Sequence, residues 1–375
     1  MNPDLTGAHE EFARYCTRVF HVPEGPISIP LEDEPSLAVW DEYAHGALCR
    51  GPWEVLREKL PHLCFPIQAG MSKSEPYRAA TRSGVPPKQS SGLTLEKPSE
   101  LNLSIHATAA GRIPVLVTRH RPDFISLVRA FAHGSEPVAI PDSVGARMVT
   151  GFNNWDRIHR LRNDFLTRNP GRTEEDWRLE FRTNTKRNYQ LYQDRFIILN
   201  DGPYSAVPAK AMKMGEREWR ETSLTIRREH ECTHYFTMRV LGTMRNHALD
   251  EIIADTMGII AANGKFRADW FLRFFGLENF PVYRPGARLE NYRGDPPLSA
   301  KAFSLLQGAV HRTALTLEKV CDSLPMSGCA DQVALLLSLA ELGLSQLASG
   351  EAPELLLAAS ARNASRIMRR STVPP

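Results

Sequence analysis

The sequence lacks the long apolar run that a membrane-spanning helix needs, which is about eighteen or more residues. Its longest candidate, residues 333–348, is interrupted by Glu341, Ser345 and Gln346. We therefore predict a buried helix in this segment and no membrane partner. Residues 1–16 contain acids and no apolar core, so no secretory signal peptide is predicted either.

A strong excess of charge of one sign is also absent. The 375 residues include 46 lysines and arginines and 43 aspartates and glutamates, which gives a formal net charge of +3. A balance this even does not predict nucleic acid or an anionic membrane surface as a partner. The six cysteines are scattered, with no CxxC pair. Reduced thiols in a cytoplasmic protein are the simplest interpretation.

Hydrophobic periodicity predicts a mixture of helices and strands, so the expected fold class is α+β. Helices are expected at 36–60, from about Pro122, from about Trp155 and in three segments near 300–320, 330–348 and 352–369. Buried strands are expected at 113–117 and 196–199. Proline, serine and glycine are concentrated in residues 81–100, which predicts a linker or a mobile loop.

Residues 227–236, RREHECTHYF, contain the pattern His-Glu-x-x-His. His230 and His234 are four residues apart, so on a helix both imidazoles leave the same face and can share a metal ion. Glu231 lies about 100° around the helix from His230, where a carboxylate reaches a metal-bound water without being a ligand. The pattern predicts a zinc site with Glu231 as the general base. The alternative for the pentapeptide alone is a surface helix with two solvated histidines.

A second helix is predicted in residues 246–260 and can supply a third ligand. Glu251 and Asp255 are four residues apart and share one of its faces. At about 1.5 Å per residue, a chain that turns back at 242–245 brings Glu251 to the level of His234. Two histidines and Glu251 would leave a fourth coordination position open for water, as in catalytic zinc sites. Asp255 could then orient a ligand histidine by accepting its hydrogen bond.

Other side chains near the two motifs compete for these roles. His247 precedes Glu251 by one turn on the same face, so a site with three histidines is the alternative ligand set. Asp250 is adjacent to Glu251 but points about 100° away from it. Cys232 lies inside the first motif, and we interpret it as a small buried hydrophobic residue and not as a nucleophile.

The two-part pattern resembles the zincin metallopeptidases of the gluzincin type, and most closely the compact minigluzincins. In these proteins His-Glu-x-x-His is followed on a second helix by Glu-x-x-Ala-Asp-x-x-Gly, which is present here as residues 251–258. The match covers about residues 222–262. The zinc ligands that the resemblance implies are His230, His234 and Glu251, with Glu231 as general base.

The resemblance also implies a zincin-like catalytic core, which consists of a small mixed sheet and the active-site helices. An edge strand upstream of the motif helix should line the cleft, and residues 196–200 are the candidate. We assign the core to residues 101–298. A mixed N-terminal α/β region then occupies 1–100, including the loop at 81–100, and a helical C-terminal region occupies 299–370.

Together these features predict a soluble, zinc-dependent hydrolase, most directly a metallopeptidase or amidase of narrow specificity that acts on a peptide or peptide-like substrate. Two alternatives stay open. One is a zincin-fold biosynthetic enzyme that catalyses a different metal-assisted reaction, and the other is a non-catalytic metal-binding regulatory protein. Zinc hydrolases usually add a donor to the developing oxyanion. Tyr283, Tyr292 and His311 are candidates for that donor, and the sequence does not choose among them.

Overall fold

The structure is a computed structural model that describes residues 3–17, 20–87, 92–244, 246–326 and 328–370. The fold class is α+β, as predicted. The helices are α1 Pro3–Tyr15, α2 Leu37–Arg50, α3 Pro52–Lys59, α4 Glu75–Ser83, α5 Arg121–Ala132, α6 Trp155–Arg168, α7 Glu174–Thr183, α8 Ala209–Met212, α9 Glu216–Val240, α10 Ala248–Asn263, α11 Ala268–Phe275, α12 Ala300–Cys321, α13 Cys329–Leu347 and α14 Ala352–Arg366. The strands are β1 Ile27–Ile29, β2 Leu101–Thr108, β3 Gly111–Thr118, β4 Ala146–Asn153, β5 Gln193–Asn200 and β6 Ile367–Arg369. Within the described ranges, none of the helices combines the length and the apolar character that crossing a bilayer requires.

Contacts divide the chain into two compact units. One contains Met1–Leu31 and Pro203–Pro375, and the other contains Glu32–Gly202. The predicted boundaries near residues 100 and 298 therefore fall inside these units. At residue 100 the reason is that β2, which begins directly afterwards, packs against α2 and α3. At residue 298 it is that α12 packs against α1 and α11, which precede that position.

The unit of residues 32–202 is built on a four-stranded mixed sheet with the order β2-β3-β5-β4. β3 is parallel to β5, whereas β2 and β4 are antiparallel to their neighbours. β5 is therefore an interior strand, and the expectation that residues 196–200 form an edge strand is wrong. The physical reason is visible in its apolar run, Phe196–Leu199, whose side chains are all fully buried. An unbroken apolar run is typical of a strand that is covered on both faces.

The segment predicted as a linker or mobile loop, residues 81–100, is partly attached to the core of this unit. Leu93 and Leu95 are buried in that core. The two residues after Leu95 donate their backbone N–H groups to the carboxylate of Asp123, at 2.8 and 2.9 Å. Residues 88–91 lie outside the described residues. The part of the segment that follows them is thus fixed by apolar burial and by a buried carboxylate, and it is not a simple tether.

The other unit is mainly helical, and its central feature is the pair α9 and α10. α10 packs along α9 and against α13, and α12, α13 and α14 pack against one another. β1 and β6 form a small parallel pair in the same unit. α10 begins at a cap in which the His247 side chain accepts a hydrogen bond from the N–H of Leu249. It ends at Gly264, whose φ of 77° is the left-handed conformation typical of a helix C-terminus.

α9 and α10 approach each other closely at Gly258. A Cβ atom at this position would lie 2.6 Å from the carbonyl oxygen of Ile226 on α9. Glycine is therefore required here because the backbone of one helix touches the backbone of the other. This contact sets the spacing between the two helices that carry the predicted ligands.

Candidate metal centre

The structure brings the three predicted ligands together in the hairpin of α9 and α10. The Nε2 atoms of His230 and His234 are 3.1 Å apart. The Glu251 carboxylate lies 3.5 Å from each of them, through Oε2 to His230 and through Oε1 to His234. All three side chains are buried. This group of ligand atoms could hold a metal ion.

The separations suit a small tetrahedral ion. Zinc binds histidine nitrogen and carboxylate oxygen at about 2.0–2.2 Å, so two of its tetrahedral ligands lie about 3.3–3.5 Å apart. The three observed distances of 3.1, 3.5 and 3.5 Å are close to that value. Two imidazoles and one carboxylate also form the donor set of zinc sites that keep a position open. The residues present therefore fit a zinc ion.

A buried carboxylate lies behind each of the two histidines. Asp255 Oδ1 is 2.7 Å from Nδ1 of His230, and Asp250 Oδ1 is 3.3 Å from Nδ1 of His234. A proton on Nδ1 that is shared with a carboxylate leaves Nε2 free to bind a metal and fixes the ring orientation. The sequence predicted this arrangement for Asp255. The sequence did not predict it for Asp250, because a direction about 100° away from Glu251 counts against a ligand but does not indicate a contact behind an imidazole.

Asp255 is itself held by a network that the sequence did not indicate. The Tyr204 hydroxyl donates to Asp255 Oδ1 at 2.5 Å, and the Arg288 guanidinium pairs with Asp255 Oδ2. Arg288 also donates to the Tyr204 oxygen at 2.9 Å and lies 3.7 Å from Glu251 Oε2. These residues come from distant parts of the chain, and no local pattern marks either Tyr204 or Arg288. Only the fold brings them to the site.

The electrostatics of the metal-free group favour a protonated imidazole beside ionised acids. Burial alone would lower the pKa of His234, but Asp250 and Glu251 beside it raise that pKa well above its ordinary value. Burial alone would raise the pKa of Glu251, but the two imidazoles and the Arg288 guanidinium hold it well below its ordinary value. Metal binding at this group is therefore expected to compete with protonation of the imidazole.

Glu231 and Cys232 follow His230 directly on α9. Glu231 is half-buried, and it forms no hydrogen bond or ion pair with any residue in the described part of the chain. Cys232 is buried, and burial raises the pKa of its thiol well above the ordinary value. A thiol in this state does not act as a nucleophile at neutral pH.

The alternative ligand His247 does not belong to the cluster. Its Nδ1 accepts from the N–H of Leu249, its Nε2 lies 3.0 Å from the carbonyl oxygen of Tyr15, and its ring stacks on that of Tyr15 at 4.2 Å. His247 thus caps α10 instead of facing the two histidines. His247 does not share a helix face with Glu251, because it is the extended N-cap residue and α10 begins only at Ala248.

Of the three candidates for an oxyanion donor, only Tyr292 lies at the cluster. Burial and the neighbouring Glu251 carboxylate together raise the pKa of Tyr292 well above its ordinary value. Tyr292 therefore stays protonated and can donate. The Tyr283 hydroxyl instead donates to the carbonyl of Ala287 at 2.9 Å. The His311 ring stacks on Phe280 at 4.2 Å.

Comparisons with known proteins place the chain in a family but supply no activity for it. No curated protein matches the chain, and no solved structure matches it. The sequence profile of a family of unknown function, DUF7005, matches residues 5–351. Because this match spans most of the 375 residues, the chain belongs to the DUF7005 family.

Proposed function

We propose that this protein is a zinc-dependent hydrolase, most directly a metallopeptidase or amidase, built around a zincin-like helix pair. The observation that carries the proposal is the buried trio of Nε2, Nε2 and carboxylate oxygen atoms, mutually 3.1–3.5 Å apart. A carboxylate lies behind each imidazole as well. Structural zinc sites use four protein ligands, whereas three protein ligands are typical of catalytic ones.

The proposed roles follow from the positions of the side chains. His230, His234 and Glu251 would hold the zinc ion. Bound zinc would supply a Lewis acid that polarises a substrate carbonyl and lowers the pKa of a water molecule to near neutrality. Glu231 would accept a proton from that water and return it to the leaving amine. Tyr292, which stays protonated beside the Glu251 carboxylate, would donate a hydrogen bond to the developing oxyanion.

The substrate class rests on the resemblance to the gluzincins, which points to a peptide or a peptide-like molecule. A narrow specificity agrees with the large share of the chain outside the two motif helices. All six cysteines are free thiols, which agrees with the expected cytoplasmic location. That location stays a prediction.

The test combines metal analysis with a peptide-library digest read by mass spectrometry. Wild-type protein should contain one zinc per chain and cleave a restricted set of peptides. Glu231→Gln should keep the zinc and lose cleavage by a factor of about 10² to 10⁴, because a general base is removed and no ligand is. The matched control is Glu221→Gln, which removes an exposed acid that pairs with Arg217 on the same helix.

The outcomes separate the alternatives. If Glu231→Gln retains its zinc and its biological activity equals that of the wild type, a non-catalytic metal-binding protein is favoured. An untouched peptide library together with a transformed small molecule would favour a biosynthetic reaction. Wild-type protein that binds no zinc would contradict the proposal as a whole.

A further inference from the structure

A second cleft lies in the unit of residues 32–202, which does not contain the histidine pair. It has a volume of about 510 Å³ and opens between α6 and α7. Trp155 and His159 on α6, and Trp177 and Phe181 on α7, contribute to its walls. Clefts of this size that combine aromatic walls with a few polar groups are typical of small-molecule sites.

The aromatic walls are fixed by their neighbours. The Trp155 indole donates to the carbonyl oxygen of Thr81 at 2.8 Å. Its ring also lies against Gly84, where a Cβ atom would come within 2.2 Å of the indole. Trp177 is buried, and its ring lies 5.6 Å from that of Phe181. Rigid aromatic rings lose little conformational entropy when a flat ligand stacks on them.

The cleft also carries positive charge that the described residues do not neutralise. Arg178 and Arg182 are one turn apart on α7, so their guanidinium groups share one face. Neither arginine forms an ion pair with an acid among the residues that the structure describes, although Nε of Arg182 donates to the carbonyl oxygen of Arg178 at 3.3 Å. A third arginine of the cleft, Arg162, is by contrast paired with Glu174 at 2.9 Å. The free charge therefore comes from α7.

We propose that this cleft binds a small molecule that consists of a flat aromatic ring with an anionic group attached. The ring would stack against the tryptophan and phenylalanine walls, where aromatic pairs gain stability beyond area burial. The anionic group would accept hydrogen bonds from Arg178 and Arg182, since guanidinium groups match carboxylate and phosphate oxygens in geometry as well as in charge. A nucleoside phosphate and an aryl carboxylate share this chemistry.

The experiment is isothermal titration calorimetry of the full-length protein with paired probes. Adenosine 5′-monophosphate is compared with adenosine and with inorganic phosphate, and indole-3-acetate is compared with indole. We expect at least one aromatic anion to bind with one molecule per chain, about tenfold or more tighter than the ring or the anion alone. Binding of the nucleotide alone identifies a nucleoside phosphate, and binding of indole-3-acetate alone identifies an aryl carboxylate.

Charge-matched variants locate the binding. Arg178→Gln and Arg182→Gln should each weaken binding of the aromatic anion about tenfold. Arg168→Gln removes another exposed charge, from α6 outside the cleft, and should leave binding unchanged. His234→Ala should also leave it unchanged, which shows that the anion does not bind through the metal centre. All the altered arginines are exposed, and circular dichroism verifies that the variants fold.

Three results would overturn the proposal. The first is that no aromatic anion binds more tightly than its uncharged counterpart. The second is that Arg168→Gln weakens binding as much as the two cleft variants, which would indicate a general charge effect. The third is that binding disappears in His234→Ala. None of these results bears on whether Glu231 acts as a general base, so this proposal and the proposed hydrolase activity can fail separately.

Discussion

Gly258→Ala adds one methyl group at the point where α9 and α10 touch. The new Cβ would lie 2.6 Å from the carbonyl oxygen of Ile226, whereas ordinary contact begins at 3.4 Å. The helices must therefore separate locally by about 0.8 Å, because the obstacle is backbone and cannot rotate away. The substitution leaves the proposed metal ligands in place, so it tests the hairpin itself.

The expected cost has two parts. Overpacking a well-packed contact costs about 1–3 kcal/mol. Alanine also has a better helix propensity than glycine, and this gain offsets about 1 kcal/mol of the overpacking cost. Gly7→Ala measures that second part alone, since Gly7 is a helical residue of α1 with no atom within 4 Å of the added Cβ. Relative to Gly7→Ala, we expect Gly258→Ala to lower the free energy of unfolding by about 1–3 kcal/mol.

The same movement should weaken metal binding. Glu251 lies seven residues from Gly258, about 10 Å along α10, so separation of the helices is transmitted to the cluster. Metal sites tolerate changes of about 0.2 Å in ligand distance, and we therefore expect zinc affinity to fall about tenfold or more. Urea unfolding of the metal-free proteins and competition with a chromophoric chelator measure the two effects. Wild-type stability together with wild-type zinc affinity in Gly258→Ala would refute the close contact between the helices.

Three further predictions concern the site and the core. Asp255→Asn and Asp250→Asn should each lower the zinc affinity about 10- to 100-fold, because each carboxylate orients an imidazole. The chelator competition measures this affinity, and an unchanged value in both variants would contradict the role of the two carboxylates. With free zinc at a hundred times its dissociation constant, the free energy of unfolding should be about 2.7 kcal/mol higher than after a chelator removes the zinc. An unchanged urea midpoint would argue against a metal site in the native state. Burial lowers the pKa of His62 from its ordinary 6.5 to about 3. Between those pH values only the unfolded chain binds a proton at His62. On acidification the wild type should therefore lose up to about 1.4 kcal/mol of its free energy of unfolding per pH unit, and His62→Leu should not show this loss. Parallel pH profiles of unfolding free energy for the two proteins would refute this.

The three candidate metal ligands could be predicted because their signal is local. The spacing of His230 and His234 places both on one helix face, and the turn before α10 returns Glu251 to the same level. Each step needs only helix geometry and a short connection. The position of Asp255 follows from the same helix face. For this reason the arrangement of these four side chains was accessible from the sequence.

The rest of the site depends on tertiary contacts that leave no periodic trace. Tyr204 and Arg288 reach Asp255 from positions 51 and 33 residues away along the chain. Among three equivalent candidates, only the fold distinguishes Tyr292, which it places beside Glu251. The interior position of β5 was missed for a related reason, since β4 was not predicted and one neighbour of β5 was therefore unknown.

X-ray diffraction from crystals of the zinc-loaded protein, recorded at the zinc absorption edge, tests the central claim most directly. We predict a single anomalous peak about 2.0–2.2 Å from Nε2 of His230, Nε2 of His234 and one carboxylate oxygen of Glu251. An absent peak at this position, or zinc bound elsewhere with the two imidazoles pointing apart, would contradict the claim.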